Sequence, residues 1–451
     1  MLTVSNRIMT KVTIDTGDQF DVIFIHRLQY VLNFIENHPN SSDQIKLSIS
    51  DPLDADIVIQ YSDQKGNFQI IPQNVFFRNS KVKIEVLKET TIVYDGHELK
   101  GFCNSGGSSF IPFDIFETIF FHISRYEEWF CDDNMLDLHG TLLSSHHYLV
   151  KNNVHQIPLV DILICYFLEK IGLNPKLSPT KFTLTHDIDV LLKFPSFYKF
   201  LRGYGHIFIH YNDKIQKAFK HTVNYFNIKI GKIADPYDSF DWLLDVNNQK
   251  INQKIIYWLS GGKTQFEGFF NISDPKVQTI MLLAKNRGYK TGLHPSYNTL
   301  DDKSMMESEM KKLCEVSKEE ISDFRQHFLR FDVKKTGKIV DELRAMTDSS
   351  LGFRDRIGFR CGTGFPYRLY NFETEKAFNF FEIPLVVMDI AAMREADWNS
   401  STWCEIITSF IERNKYTTQI TFNFHNSFFD PALVDTDLIK TWYIKTFNVE
   451  T

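Results

Sequence analysis

Thr185-His186-Asp187-Ile188-Asp189 places two carboxylates two residues apart, directly after the short apolar run Phe182-Thr183-Leu184. Alternate residues of an extended segment share a face. Asp187 and Asp189 are therefore expected to project together from a strand end, where α/β folds put their chemistry. Two like charges so close are costly unless a cation neutralises one or a proton is shared. A metal ligand beside a general base answers that cost. A pair of turn-forming aspartates at a strand end is the alternative.

Three later segments carry chemistry-bearing residues at similar places. Gly292-Leu293-His294-Pro295-Ser296-Tyr297-Asn298 follows a helical pattern, so His294 falls at a strand exit. Gly358-Phe359-Arg360-Cys361-Gly362-Thr363-Gly364 puts an arginine ahead of a glycine-rich loop. Thr421-Phe422-Asn423-Phe424-His425 alternates like a strand and ends on a histidine. His186 alternates away from the two aspartates and reads as structural or supporting.

Carboxylates, then His, then Arg, then a late His, in this order and over roughly residues 180–430, resembles the polysaccharide deacetylase family of metal-dependent carbohydrate esterases. The resemblance implies that Asp187 is the general base and Asp189 a metal ligand. It implies His294 as the first of two histidines four residues apart, but Asn298 stands where the second belongs. An amide oxygen is a poorer zinc ligand than an imidazole. His327, in Asp323-Phe324-Arg325-Gln326-His327, could supply the missing coordination, with a structural histidine as the alternative. Arg360 matches the arginine that orients the base by a charge-assisted bond. Asp389 matches an acidic position supporting the catalytic histidine, a helix N-cap being the alternative. His425 matches the general acid. The implied cofactor is a divalent metal, zinc by preference. The implied fold is a distorted seven-stranded (β/α) barrel.

The elements that must hold these residues read as α/β from Lys181 onward. Strands are expected at Phe182–Thr185, Ile255–Leu259, Thr291–His294, Gln326–Phe331, Gly358–Arg360, Leu385–Met388 and Gln419–His425. Residues 1–178 read as an α+β accessory domain, with helical spacing over Asp21–Asn37, Asp114–Phe130 and Val160–Ile171. Strands are expected there at Phe68–Ile71, Val82–Val86 and Thr91–Tyr94. This part resembles an uncharacterised domain that precedes some bacterial deacetylase-like domains. The barrel would occupy 179–451, interrupted by an insertion, 191–232, with eight Lys/Arg against one acidic residue, Asp213, and many aromatics. That mixture suits peripheral contact with anionic lipid or a phosphorylated substrate; a solvated helix pair is the alternative.

The 451 residues carry a net charge of -6, which gives no case for nucleic acid as a partner. Six scattered cysteines without a CxxC pair read as free thiols. The first ten residues lack the apolar core of a secretory signal, and no run is long enough to span a membrane. The expected compartment is the cytoplasm. The expected activity is removal of acetyl groups from an N-acetylated sugar, as a lipid- or nucleotide-linked precursor of surface polysaccharide. The competing readings are an inactive carbohydrate-binding or scaffold protein on the same fold, and a hydrolase of another non-peptide C–N or ester bond.

Overall fold

A computed structural model describes residues 9–448 except 18–19, 50–53, 64–65, 80, 83–86, 211–213, 268–269 and 417. Most of the expected strand Val82–Val86 lies outside the described residues. The chain forms two compact units. The first comprises Met1–Lys181, Phe328–Val386 and Phe410–Thr421; the second comprises Phe182–His327, Val387–Ser409 and Phe422–Thr451. The first unit thus contains two segments from the C-terminal half of the sequence. The six cysteines are free. No described helix is long and apolar enough to cross a membrane.

The first unit is built on a four-stranded sheet in the order Ile45–Ile49, Thr10–Asp15, Ile57–Tyr61, Gln69–Ile70. The helix Val22–Asn37 opens where Asp21 accepts a hydrogen bond from Phe24 N at 2.8 Å. Its buried Phe24, Leu28, Val31, Leu32 and Ile35 recur at helical spacing and form its core face. Asp95 and Gly96, both at positive φ, turn the hairpin Glu89–Tyr94/His97–Phe102. The helix expected over Asp114–Phe130 is two, Ile115–Ile123 and Tyr126–Trp129. Arg125 breaks it at φ 56°, held there by Glu128 and by the carbonyls of His122 and Arg360.

Two expected strands are turns. Gly358–Arg360 is excluded from a ladder because Gly358 sits at φ 142°, and a Cβ there would lie 2.4 Å from His155 O. In place of Gln326–Phe331, the strand is Asp323–Phe324, followed by a tight turn in which Phe328 and Leu329 adopt φ of 59° and 50°.

In the second unit six strand segments lie side by side in the order Asp323–Phe324, Lys290–Leu293, Ile251–Trp258, Phe182–Ile188, the Phe422–Asn423 end of Ile420–Asn423, and Val387–Met388. The paired ladders are parallel. Phe182–Ile188 is buried along its whole length, as expected of a central strand covered on both faces. Helices Pro275–Asn286 and Lys303–Ser317 connect neighbours, each started by an aspartate cap, Asp274 and Asp302. Register then does the positioning. Ile188 pairs with Trp258, Trp258 with Leu293, and Leu293 with Phe324; Met388 pairs with Asn423. Asp189, His294, Arg325 and Asp389 are each the first residue past a strand end, and His425 is the second. All of them emerge at the C-terminal edge of parallel strands.

Candidate metal centre and its proton-transfer groups

The strand Phe182–Ile188 sends Thr185 and Asp187 to one face and His186 to the other, with Asp189 continuing the first face. His186 Nδ1 lies 3.0 Å from Phe424 O and Nε2 3.4 Å from Tyr289 OH. Burial pulls its pKa down to about 4, as befits a neutral structural ring.

Asp189, His294 and His327 each offer one ligand atom, and these atoms lie within 4.8 Å of one another. The chemistry of the surrounding atoms fits a cation. Asp189 Oδ1 is buried and makes no hydrogen bond of adequate geometry, although His294 Nε2 is 3.2 Å away. His294 Nδ1 lies 2.5 Å from Arg325 O, an atom that only accepts, so Nδ1 carries the proton and Nε2 offers a lone pair. His327 Nδ1 is turned the same way by Glu267 Oε1 at 3.1 Å, leaving its Nε2 3.7 Å from Asp189 Oδ1. Glu267 is in turn held by the backbone N–H groups of Tyr297 at 2.6 Å and Thr264 at 3.1 Å. A carbonyl and a carboxylate fixing the far nitrogens of two converging imidazoles is the arrangement that metal-binding histidines use. Burial acts against ionisation of Asp189, but His327, His294 and His425 hold its carboxyl well below the usual range.

Asp187 stands next to this group and is tied differently. Arg325 Nη1 donates to its Oδ1 at 3.1 Å and to Thr185 Oγ1 at 2.6 Å; Asn423 Nδ2 donates to its Oδ2 at 2.8 Å. Burial would raise its pKa, yet the Arg325 guanidinium, with His294 and His425, brings it below the ordinary value. Arg325 itself lies over the Tyr257 ring, 4.5 Å from the centroid.

His425 closes the arrangement. Its Nδ1 lies 2.9 Å from Asp389 Oδ1, and its backbone N donates to Asp389 Oδ2 at 2.6 Å. Its Nε2 lies 3.7 Å from Asp189 Oδ2 and 3.9 Å from Asp187 Oδ2. Burial lowers its pKa, but Asp389 first, then Asp189 and Asp187, push it up to about 10. The Asp189 and His425 side chains are 23% and 15% exposed while Asp187, His294 and His327 are nearly closed off, so these two mark the open side. A depression of about 240 Å³ adjoins Asp189, lined among others by Leu259, Gly261, Phe270, Asn271 and Lys312.

Six of the eight residues singled out from sequence, Asp187, Asp189, His294, His327, Asp389 and His425, thus surround one space. Two do not. Asn298 is exposed in a 3₁₀ turn, Tyr297–Asp301, whereas His327 is buried beside Asp189 and His294. Arg360 belongs to the first unit, where it makes a two-pronged pair with Glu128 at 2.9 and 2.8 Å and donates to Gly352 O at 2.9 Å. Burial opposes ionisation of Glu128, but Arg125 and Arg360 hold it far below the normal range. The guanidinium on Asp187 is Arg325. That residue lay in the segment read for His327, two positions from it, but nothing local marked it. Asn423 carried a signal, since a polar residue two before His425 on an alternating strand shares its face. Glu267, in a loop with no periodicity, carried none.

Residues 20–173 match the model of a family described only as a family of unknown function, DUF7033. No curated protein matches the chain. Among solved structures, a polysaccharide deacetylase from Bacillus cereus is similar with a TM-score of 0.28 and 8% identity, over 59% of this chain and 86% of that one. A likeness of that size carries no argument about this chain.

Proposed function

We propose that this protein is a metal-dependent hydrolase that removes an acyl group, acetyl in the first instance, from an N-acylated sugar. The observation that carries the reading is the convergence of Asp187 and His425, 3.9 Å apart, beside a three-residue ligand set at one strand edge. The carbohydrate part of the reading rests on the order of motifs along the chain. The distorted seven-stranded barrel belongs to the same reading and is supported by the run of parallel pairings in the second unit.

Asp189, His294 and His327 would hold the cation, and two imidazoles with one carboxylate suit zinc with positions left open. Bound there, it would supply Lewis-acid polarisation of the acyl oxygen and acidify a water. Asp187, kept ionised by Arg325 and held in place by Asn423, takes the proton of the attacking water. His425, kept protonated by Asp389, gives its Nε2 proton to the nitrogen that leaves as the acyl C–N bond breaks. The depression beside Asp189 gives the acylated ring a place to lie.

Metal analysis of wild type, Asp189→Ala, His294→Ala and His327→Ala, with acetate release measured on N-acetylated oligosaccharides, tests this. The expected result is about one divalent ion per chain, lost in each variant together with turnover. A wild type that binds no metal on reconstitution, or variants that all retain it, would sink the reading.

A further inference from the structure

The helical hairpin that follows the Asp187/Asp189 strand, Phe197–His210 and Lys214–Lys229, has two apolar faces, and its packing uses one of them. The inner face is ordinary core. Phe194, Phe200 and Tyr225 are buried together, with Phe200 stacked on Tyr225 at 4.0 Å. Gly203 lets the helices approach: a Cβ there would lie 2.4 Å from His221 Cε1. The hairpin base is tied down by Lys193–Asp430 at 2.5 Å and by Asp235, which accepts from the backbone N–H of Lys193 and Phe194.

The outer face has no such role. Ile215, Phe219, Val223, Phe226 and Ile230 recur at i, i+4, i+8, i+11 and i+15, which places them within an arc of roughly 80° on a helix turning ~100° per residue. They are 86%, 70%, 38%, 55% and 72% exposed. Of 25 large hydrophobic residues exposed among the described residues, 10 lie between Phe197 and Ile233. Exposed singly such residues are ordinary; a stripe of them marks a surface that meets something. The charge says what. Eight Lys/Arg face one acidic residue over 191–232, in a chain whose net charge is -6. Lys220 and Lys229 fall on opposite sides of the stripe.

We propose that this hairpin docks the protein on an anionic lipid bilayer, with the outer stripe among the acyl chains at the headgroup boundary and the exposed Arg202, Lys214 and Lys220 on lipid phosphates. An apolar stripe flanked by cations is what an interfacial helix requires. A second copy would bring the same positive face against itself. Nucleic acid would answer the charge but leave Ile215 and Ile230 in water. The proposal stands apart from the hydrolase reading, since vesicle binding needs no turnover.

The test is co-sedimentation of the full chain with vesicles of phosphatidylcholine alone and of phosphatidylcholine with about one-third phosphatidylglycerol. Binding is expected only to the anionic vesicles, reduced by high salt and weakened about tenfold or more by Ile215→Ser/Phe219→Ser/Phe226→Ser, with an unchanged melting curve. Arg202→Gln/Lys220→Gln, should the first variant fail to fold, is expected to weaken binding too. Absence of binding to anionic vesicles, or equal binding by wild type and the folded variants, would overturn the proposal. So would self-association without vesicles that the triple variant abolishes, which would assign the face to a second copy.

Discussion

Asp187 is buried and yet kept ionised, because a guanidinium 3.1 Å away outweighs the cost of burial. That balance makes its protonation measurable. A general base works deprotonated, so the acidic limb of kcat/KM reports its pKa. Arg325→Gln removes the lowering influence and should move that limb to higher pH. Asp187→Asn should cut kcat by about 10²–10⁴-fold with metal still bound; loss of metal in that variant would make Asp187 a ligand instead. In the proposed mechanism His425 works from the protonated side. Asp389 is the main group that raises it, so Asp389→Asn should bring the alkaline limb down. An unchanged alkaline limb would remove His425 from the acid role. Arg360→Met should leave both limbs where they are. It removes one of the two guanidinium groups that hold Glu128 and leaves Arg125 in place, so the expected cost in chemical denaturation is less than the about 3–5 kcal/mol of a buried charge left without a partner.

At the scale of elements, the geometry at Asp187 depends on three strands staying in register. Gly292 pairs with Tyr257, which pairs with Asp187. A Cβ on Gly292 would lie 2.5 Å from Tyr257 Cδ1 and 2.9 Å from Asp323 O. The missing side chain therefore makes room for the ring over which Arg325 lies. Gly292→Ala should cost about 1–3 kcal/mol through overpacking. It should also lower kcat more than it raises KM, because the displaced ring carries the guanidinium that sets Asp187. Stopped-assay kinetics beside a urea titration would check both, and a stability loss with normal kcat would show that the ring moves without Arg325.

For the whole molecule, stability should depend on metal and on pH. A cation bound only by the folded chain stabilises it by about 2.7 kcal/mol when present at 100 times its dissociation constant. Chelation should therefore lower the melting temperature, and the His327→Ala variant should show no such response. One contribution to the pH dependence comes from a buried neutral histidine. His122 is fully buried, neither ring nitrogen is bonded, and burial takes its pKa down to about 3. Between that value and the ordinary ~6.5, the unfolded chain binds a proton that the folded chain refuses. Stability should accordingly fall as pH drops through this window, by at most about 1.4 kcal/mol per pH unit for this group. His122→Leu should flatten the fall in denaturation midpoints measured from pH 7 downward; an unaltered slope would assign it to other groups.

What the sequence determined by itself is local. Alternation along extended segments put Asp187 with Asp189 and set His186 apart, and apolar runs followed by polar residues marked the strand exits at His294, Asp389 and His425. The Asp21 cap and the Asp95-Gly96 turn are equally local, since each depends on a few consecutive residues. The tertiary structure alone decided which arginine reaches Asp187. Arg325 and Arg360 both sit at the ends of short apolar stretches, and only strand order brings Arg325 beside Asp187 while burying Arg360 on Glu128. It also brought His327 beside Asp189 and His294 and left Asn298 exposed in its turn. Spacing along a helix or strand is read within one segment, whereas a metal site and a buried ion pair are closed by segments far apart in sequence, whose meeting depends on register and packing.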